Sequence, residues 1–110
     1  MKLTVTNLLT PPADLNEEYF ETLLQQPGIR VERIVSSGQA TPAGEWYDQA
    51  WDEWVLLLSG EALLQIAGES TPRRLLPGDS IMLPEHCRHR VAWTTSAEQT
   101  VWLALHFAGV

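Results

Sequence analysis

From Ile29 onward the sequence is cut into short apolar runs, and that one feature decides which folds are open to it. The runs occupy 29–37, 52–58, 61–67, 73–76, 80–84, 88–93 and 100–107. Turn residues separate them: Ser59-Gly60, Gly68-Glu69-Ser70, Pro77-Gly78-Asp79 and Ser96-Ala97-Glu98. Short strands at this spacing predict an all-β sandwich or barrel. The stretch before them reads differently. Pro11-Pro12 breaks what precedes, Asp14 can cap a helix, and Glu17 stands where a capping-box carboxylate belongs. Leu15, Phe20, Leu23 and Leu24 then fall close to one stripe, and Pro27-Gly28 closes the segment. The pattern predicts one helix over about 13–26, followed by a barrel over about 29–108. At 110 residues the chain makes a single domain.

One strand demands cover on two sides. If Glu53 points inward, Val55 and Leu57 do too, because side chains alternate along a strand. Trp54, Leu56 and Leu58 on the other face are also apolar. A strand apolar on both faces needs partners on both. The helix, a second sheet or another subunit could supply the outer one, and a homodimer is the expectation.

With 7 Lys and Arg against 14 Asp and Glu, the net charge is −7. Lys2 is the only lysine and the arginines are scattered, so a nucleic-acid partner is not expected. No run approaches the roughly 20 apolar residues that span a bilayer, and the first residues, MKLTVTNLLTPP, do not read as a signal peptide. The lone Cys87 cannot form an internal disulfide, which suits a reducing, cytoplasmic setting.

The residues able to carry chemistry converge in two segments, Tyr47–Glu53 and Pro84–His89. His86 follows a proline at a turn and is either an acid/base poised near neutrality or a solvated histidine. Cys87 shares its strand parity with His89 and reads mostly as a small hydrophobe. In 29–37, Arg33 shares a face with Val31 and Val35; pointing inward, it would anchor a carboxylate or phosphate. In 100–107, Val101, Leu103, Leu105 and Phe107 form the apolar face, which leaves His106 outside. Of the five tryptophans, Trp46 and Trp51 stand nearest this set, and Trp51 is the candidate pocket wall.

Glu53 and Gly60, with six residues between them, resemble the second half of the first cupin motif. Gly78, Pro84 and His89 resemble the second motif. The resemblance, which extends over about 37–107, implies a cupin double-stranded β-helix, a jelly-roll barrel with a pocket inside. It resembles in particular the small single-domain cupins called mannose-6-phosphate isomerase-like. Two of the four usual ligand positions are kept, Glu53 and His89. The two histidines of the first motif are replaced by Tyr47 and Gln49, or in the other spacing by Trp46 and Asp48. The second motif's Gly is His86 and its final Asn is Trp93. The resemblance thus implies a divalent metal (Zn, Fe, Mn or Ni) at Gln49, Glu53 and His89, weakened by the lost imidazoles. A metal-free pocket in which Glu53 and His89 bond to each other is the alternative.

Three functions follow. The first is a metal-assisted, isomerase- or epimerase-like enzyme on a small polar metabolite, with Glu53, Tyr47 or His86 moving a proton and Arg33 and Trp51 holding substrate. The second is a non-catalytic small-molecule binder. The third is a metal-dependent dioxygenase.

Overall fold

The computed structural model describes residues 2–10 and 16–108. Eight strands make it up: β1 (Tyr19–Gln26), β2 (Ile29–Ser36), β3 (Asp52–Ser59), β4 (Ala62–Ile66), β5 (Arg73–Leu75), β6 (Ser80–Leu83), β7 (His89–Thr94) and β8 (Thr100–Phe107). They form two antiparallel sheets, one of five strands in the order β1-β2-β8-β3-β6 and one of three in the order β5-β4-β7. Between them lies the core: Val55, Leu57, Ala62, Leu64, Leu75, Leu83 and Trp102. Leu57 is wholly buried; each such aliphatic side chain contributes roughly 1.5–3 kcal/mol.

Two expectations are corrected here. There is no helix among the described residues, and neither sheet closes into a barrel. Residues 13–15 of the expected helix lie outside the described residues, whereas 19–26 form strand β1. The reason is visible in the register. β1 pairs with β2 along its length, but the register shifts between Thr22 and Leu24. Leu23 is the extra residue of a bulge, which breaks strict alternation and makes the apolar spacing imitate a helical stripe. Pro27-Gly28, read as a helix stop, is instead the hairpin turn, and Gly28 takes the positive φ of 82° that such a turn requires.

One sheet edge, that of β7, is covered by the chain before β3. On β7, the backbone of Tyr47 exchanges hydrogen bonds with that of His89 at 2.7 and 3.1 Å. The Thr41 hydroxyl accepts from the Val91 amide at 2.9 Å. One close approach is tight: Gly60, at φ 88°, lies so near Thr100 that a Cβ there would sit 2.5 Å from the Thr100 Cα.

β3 is apolar on both faces, as expected. Inward go Glu53, Val55 and Leu57. On the outer face, the pairings align Leu24, Val31, Leu105, Trp54 and Met82 in one row across all five strands. Leu24 and Met82 are each nearly half exposed.

Candidate functional site

A second cross-strand row, on the inner face, builds the site. Leu83, Glu53, His106, Arg30 and Gln25 stand side by side on β6, β3, β8, β2 and β1. His89, at the start of β7, faces them from the other sheet, with Tyr47 and Gln49 beside it. All of these but Gln25 line a cavity of about 260 Å³. Its other walls are largely apolar, including Phe20, Ile34, Val55, Leu64, Val91 and Trp102.

Glu53 is the centre. It is 7% exposed, with Oε1 3.7 Å from His89 Nε2 and Oε2 3.7 Å from His106 Nε2. Both gaps exceed hydrogen-bond length. The partners of the two rings assign opposite tautomers. His89 Nδ1 lies 2.8 Å from the Cys87 carbonyl, which can only accept, so Nδ1 carries the proton and Nε2 presents a lone pair. The Trp51 indole N–H, which can only donate, reaches His106 Nδ1 at 2.9 Å, so the proton of neutral His106 sits on Nε2. That N–H faces Glu32 Oε1 at 3.3 Å.

The electrostatics follow from burial. Desolvation pushes the Glu53 carboxyl up to about 7, helped by Glu32 and opposed by Arg30. Burial lowers His89, against the pull of the Cys87 carbonyl. Burial and the Arg30 charge lower His106, partly offset by Glu32. Near neutral pH the imidazoles are therefore uncharged, and their contacts with Glu53 are not ion pairs. Burial, with Glu18 and Glu53 nearby, raises the Tyr47 phenol, which stays protonated and stacks on the His89 ring at 5.5 Å.

The sequence-derived candidates divide. Glu53, His89, Tyr47 and Gln49 all line the cavity. His86 does not; its exposed ring bonds Asp48 at 2.9 Å and its backbone takes a φ of 60°. Cys87 packs against the core cluster. Trp51 stands behind the cavity as the partner of His106. Arg33 is on the outer face, paired with Glu21 at 2.6 Å and reaching the carbonyls of Asn7 and Leu8. The parity of β2 is thus opposite to the expected one: Arg30, Glu32 and Ile34 point in. β8 is likewise inverted, with Trp102 and His106 inside. Pairing His106 directly with Glu53, one strand away, was the signal that would have found both His106 and Arg30.

The expected divalent metal is also corrected. Among the described residues no group of three His, Cys, Asp or Glu side chains could hold one. The donor chemistry agrees. Gln49 offers a neutral carbonyl, Tyr47 is held as a phenol, and both His106 nitrogens face partners of their own.

Two antiparallel sheets around a buried Glu–His pair define a cupin, and the chain belongs to that family: the cupin domain family matches residues 34–106. The solved structures narrow this further. A candidate mannose-6-phosphate isomerase from Ralstonia eutropha JMP134 is 46% identical, over 97% of this chain and 100% of that one, with a TM-score of 0.93. A cupin superfamily protein from Desulfitobacterium hafniense DCB-2 is 17% identical over 99% and 94%, with a TM-score of 0.78. The cupin domain of Schizosaccharomyces pombe Cnp3 is 13% identical over 98% and 71%, with a TM-score of 0.77. The last two show the fold alone. No curated protein matches the chain.

Proposed function

We propose that this cupin catalyses proton transfer on a small polar carbonyl compound, as an isomerase does. One observation carries the reading: a buried carboxyl with its pKa near 7 stands between an imidazole lone pair and an imidazole N–H. A group that is half ionised at neutral pH both takes and returns protons efficiently. In the proposed step, the Glu53 carboxylate removes a proton from the carbon beside the carbonyl. The electron pair of the broken C–H bond moves toward the carbonyl oxygen, which the Tyr47 hydroxyl or the His106 N–H steadies. In a hydroxyaldehyde, the hydroxyl on the first carbon gives its proton to that oxygen and becomes the new carbonyl, while Glu53 returns the first proton to the former carbonyl carbon; in a compound without that hydroxyl the proton returns to the carbon it left, and the reaction is exchange alone. His89 Nε2, 3.7 Å from Glu53, turns its lone pair toward the carboxyl. Glu53 alone takes and returns the proton, so transfer within one face of the substrate is favoured over inversion by two opposed bases. The Ralstonia relative's name points the same way, to an isomerase.

The apolar walls support a second reading, a binding protein without turnover. The oxygenase alternative required a ligand set that these residues do not form. Incubating the protein in D2O with small hydroxyaldehydes and oxo acids, and following deuterium by NMR, separates the first two. Exchange that vanishes in Glu53→Gln supports catalysis; ligands that bind without any exchange support the binder.

The apolar row on the outer face supports a homodimer, a second copy covering Leu24, Trp54 and Met82. The single thiol, Cys87, fits a reducing cytoplasm. Among the described residues no helix is long and apolar enough to cross a membrane.

A further inference from the structure

Arg30 is the one arginine in the inner row, and its chemistry is unspent. Among the described residues its Nε is buried without a hydrogen-bond partner, as are those of Arg33 and Arg90, but of the three only Arg30 has no hydrogen bond or ion pair at its other guanidinium nitrogens either. Its guanidinium lies 5.9 Å over the Trp51 ring. Arg33, three residues on, is the contrast: it uses its two terminal guanidinium nitrogens on Glu21 and on two backbone carbonyls. A buried guanidinium nitrogen is seldom left without an acceptor, and the fork of an arginine matches a carboxylate with two parallel bonds.

Its position gives that fork a use. Arg30 and His106 line both the main cavity and a second one of about 190 Å³. Arg30 therefore stands at their junction, next to the His106–Glu53 pair. The surrounding charge selects among anions. Glu18, Glu32 and Glu53 line the main cavity against this single cation. A doubly charged phosphate would meet three carboxyl groups with one guanidinium to hold it, whereas a singly charged carboxylate is satisfied by one. The apolar walls opposite suit a hydrocarbon body rather than a polyhydroxylated one.

We infer that Arg30 anchors the carboxylate of the substrate, and that the site takes a small 2-oxo monocarboxylic acid with an apolar side chain rather than a sugar phosphate. The inference rests on the proton-transfer reading for its carbonyl, because the 2-oxo group places an exchangeable C–H beside a carbonyl within reach of Glu53.

Calorimetric titration tests it with 4-methyl-2-oxopentanoate, the neutral 4-methyl-2-pentanone, mannose 6-phosphate and inorganic phosphate. The oxo acid is expected to bind at least about ten-fold more tightly than the ketone, since bonds to a charged group are the strong ones. Arg30→Gln should erase that advantage and leave ketone binding unchanged, which also shows the variant to be folded. Arg30→Lys should restore part of it, and the exposed Arg74→Gln should change nothing. Should Arg30→Gln fail to bind the ketone, the Arg30→Lys variant decides: full oxo-acid affinity there overturns the fork. Equal affinity for acid and ketone, no binding of the acid, or tighter binding of either phosphate also overturns the inference. Deuterium exchange reads the two claims apart. Exchange into neutral carbonyl compounds without a preference for the acid would sink this inference and keep the proton-transfer reading. Tight, Arg30-dependent acid binding without exchange would do the reverse.

Discussion

Replacing Glu53 by Gln should make the protein more stable above neutral pH while removing its proposed activity. The substitution keeps the shape and deletes the charge. In the folded chain, burial holds this carboxyl near about 7, against an ordinary value of 4.5. At about 1.4 kcal/mol for each tenfold change in proton affinity, that difference is worth about 3 kcal/mol. The sign follows from linkage. The folded carboxyl binds its proton more tightly than the unfolded one, so unfolding releases a proton between pH 4.5 and about 7. Wild-type stability therefore falls as pH rises through that window and is flat on either side. The variant has no such loss. His89 and His106, lowered by burial, make stability fall as pH drops below their ordinary 6.5, but that loss is common to both proteins. The variant-minus-wild-type difference should be near zero at pH 4 and reach about 3 kcal/mol at pH 8. Urea denaturation followed by tryptophan fluorescence, at one-unit steps across this range, measures it. The same variant should lose about a hundred-fold or more of any deuterium exchange, the usual contribution of a general base. A stability difference that does not change between pH 4 and pH 8 would refute the argument, because Glu53 would then not be holding its proton against solvent.

Three further outcomes are expected. Trp51→Phe removes the one donor to His106 Nδ1 among the described residues, so its 15N signals should shift from a single tautomer toward a mixture, and exchange should slow about ten-fold; unchanged 15N shifts would show that Trp51 does not set the tautomer. Gly60→Ala should cost about 3 kcal/mol or more in urea, since it adds a clash with Thr100 to the strain of a positive φ; Gly28→Ala, at a similar φ with open space around it, should cost only about 1–2 kcal/mol, and equal losses would dismiss the close approach. Trp54→Glu places a charge in the outer apolar row and should halve the mass seen by sedimentation; a wild-type chain that sediments as a monomer at micromolar concentration would rule out the dimer.

Much of the architecture could be read from residues close in sequence. The strands from Ile29 onward, their turns and the double-sided apolar β3 follow from period-two alternation and from Gly and Pro at the breaks. The meeting of Glu53 with His89 was implied by the resemblance to the two cupin motifs, and the structure puts them 3.7 Å apart. Elsewhere the local pattern misled. The bulge at Leu23 gave a strand the look of a helix, and Pro27-Gly28 ends either element equally well.

The inward faces of β2 and β8 were beyond local reading. Both strands carry apolar residues on each side, so alternation offers two faces and no means to choose. The choice is made by register, where Glu53 pairs with His106 and His106 with Arg30. Sliding β2 by a single residue would turn Arg33 inward, and sliding β8 by one would turn His106 out. The sequence by itself determined the strands and the acid–imidazole pair; only the tertiary pairing decided which arginine and which second histidine join them, because that depends on hydrogen bonds between residues more than 50 positions apart.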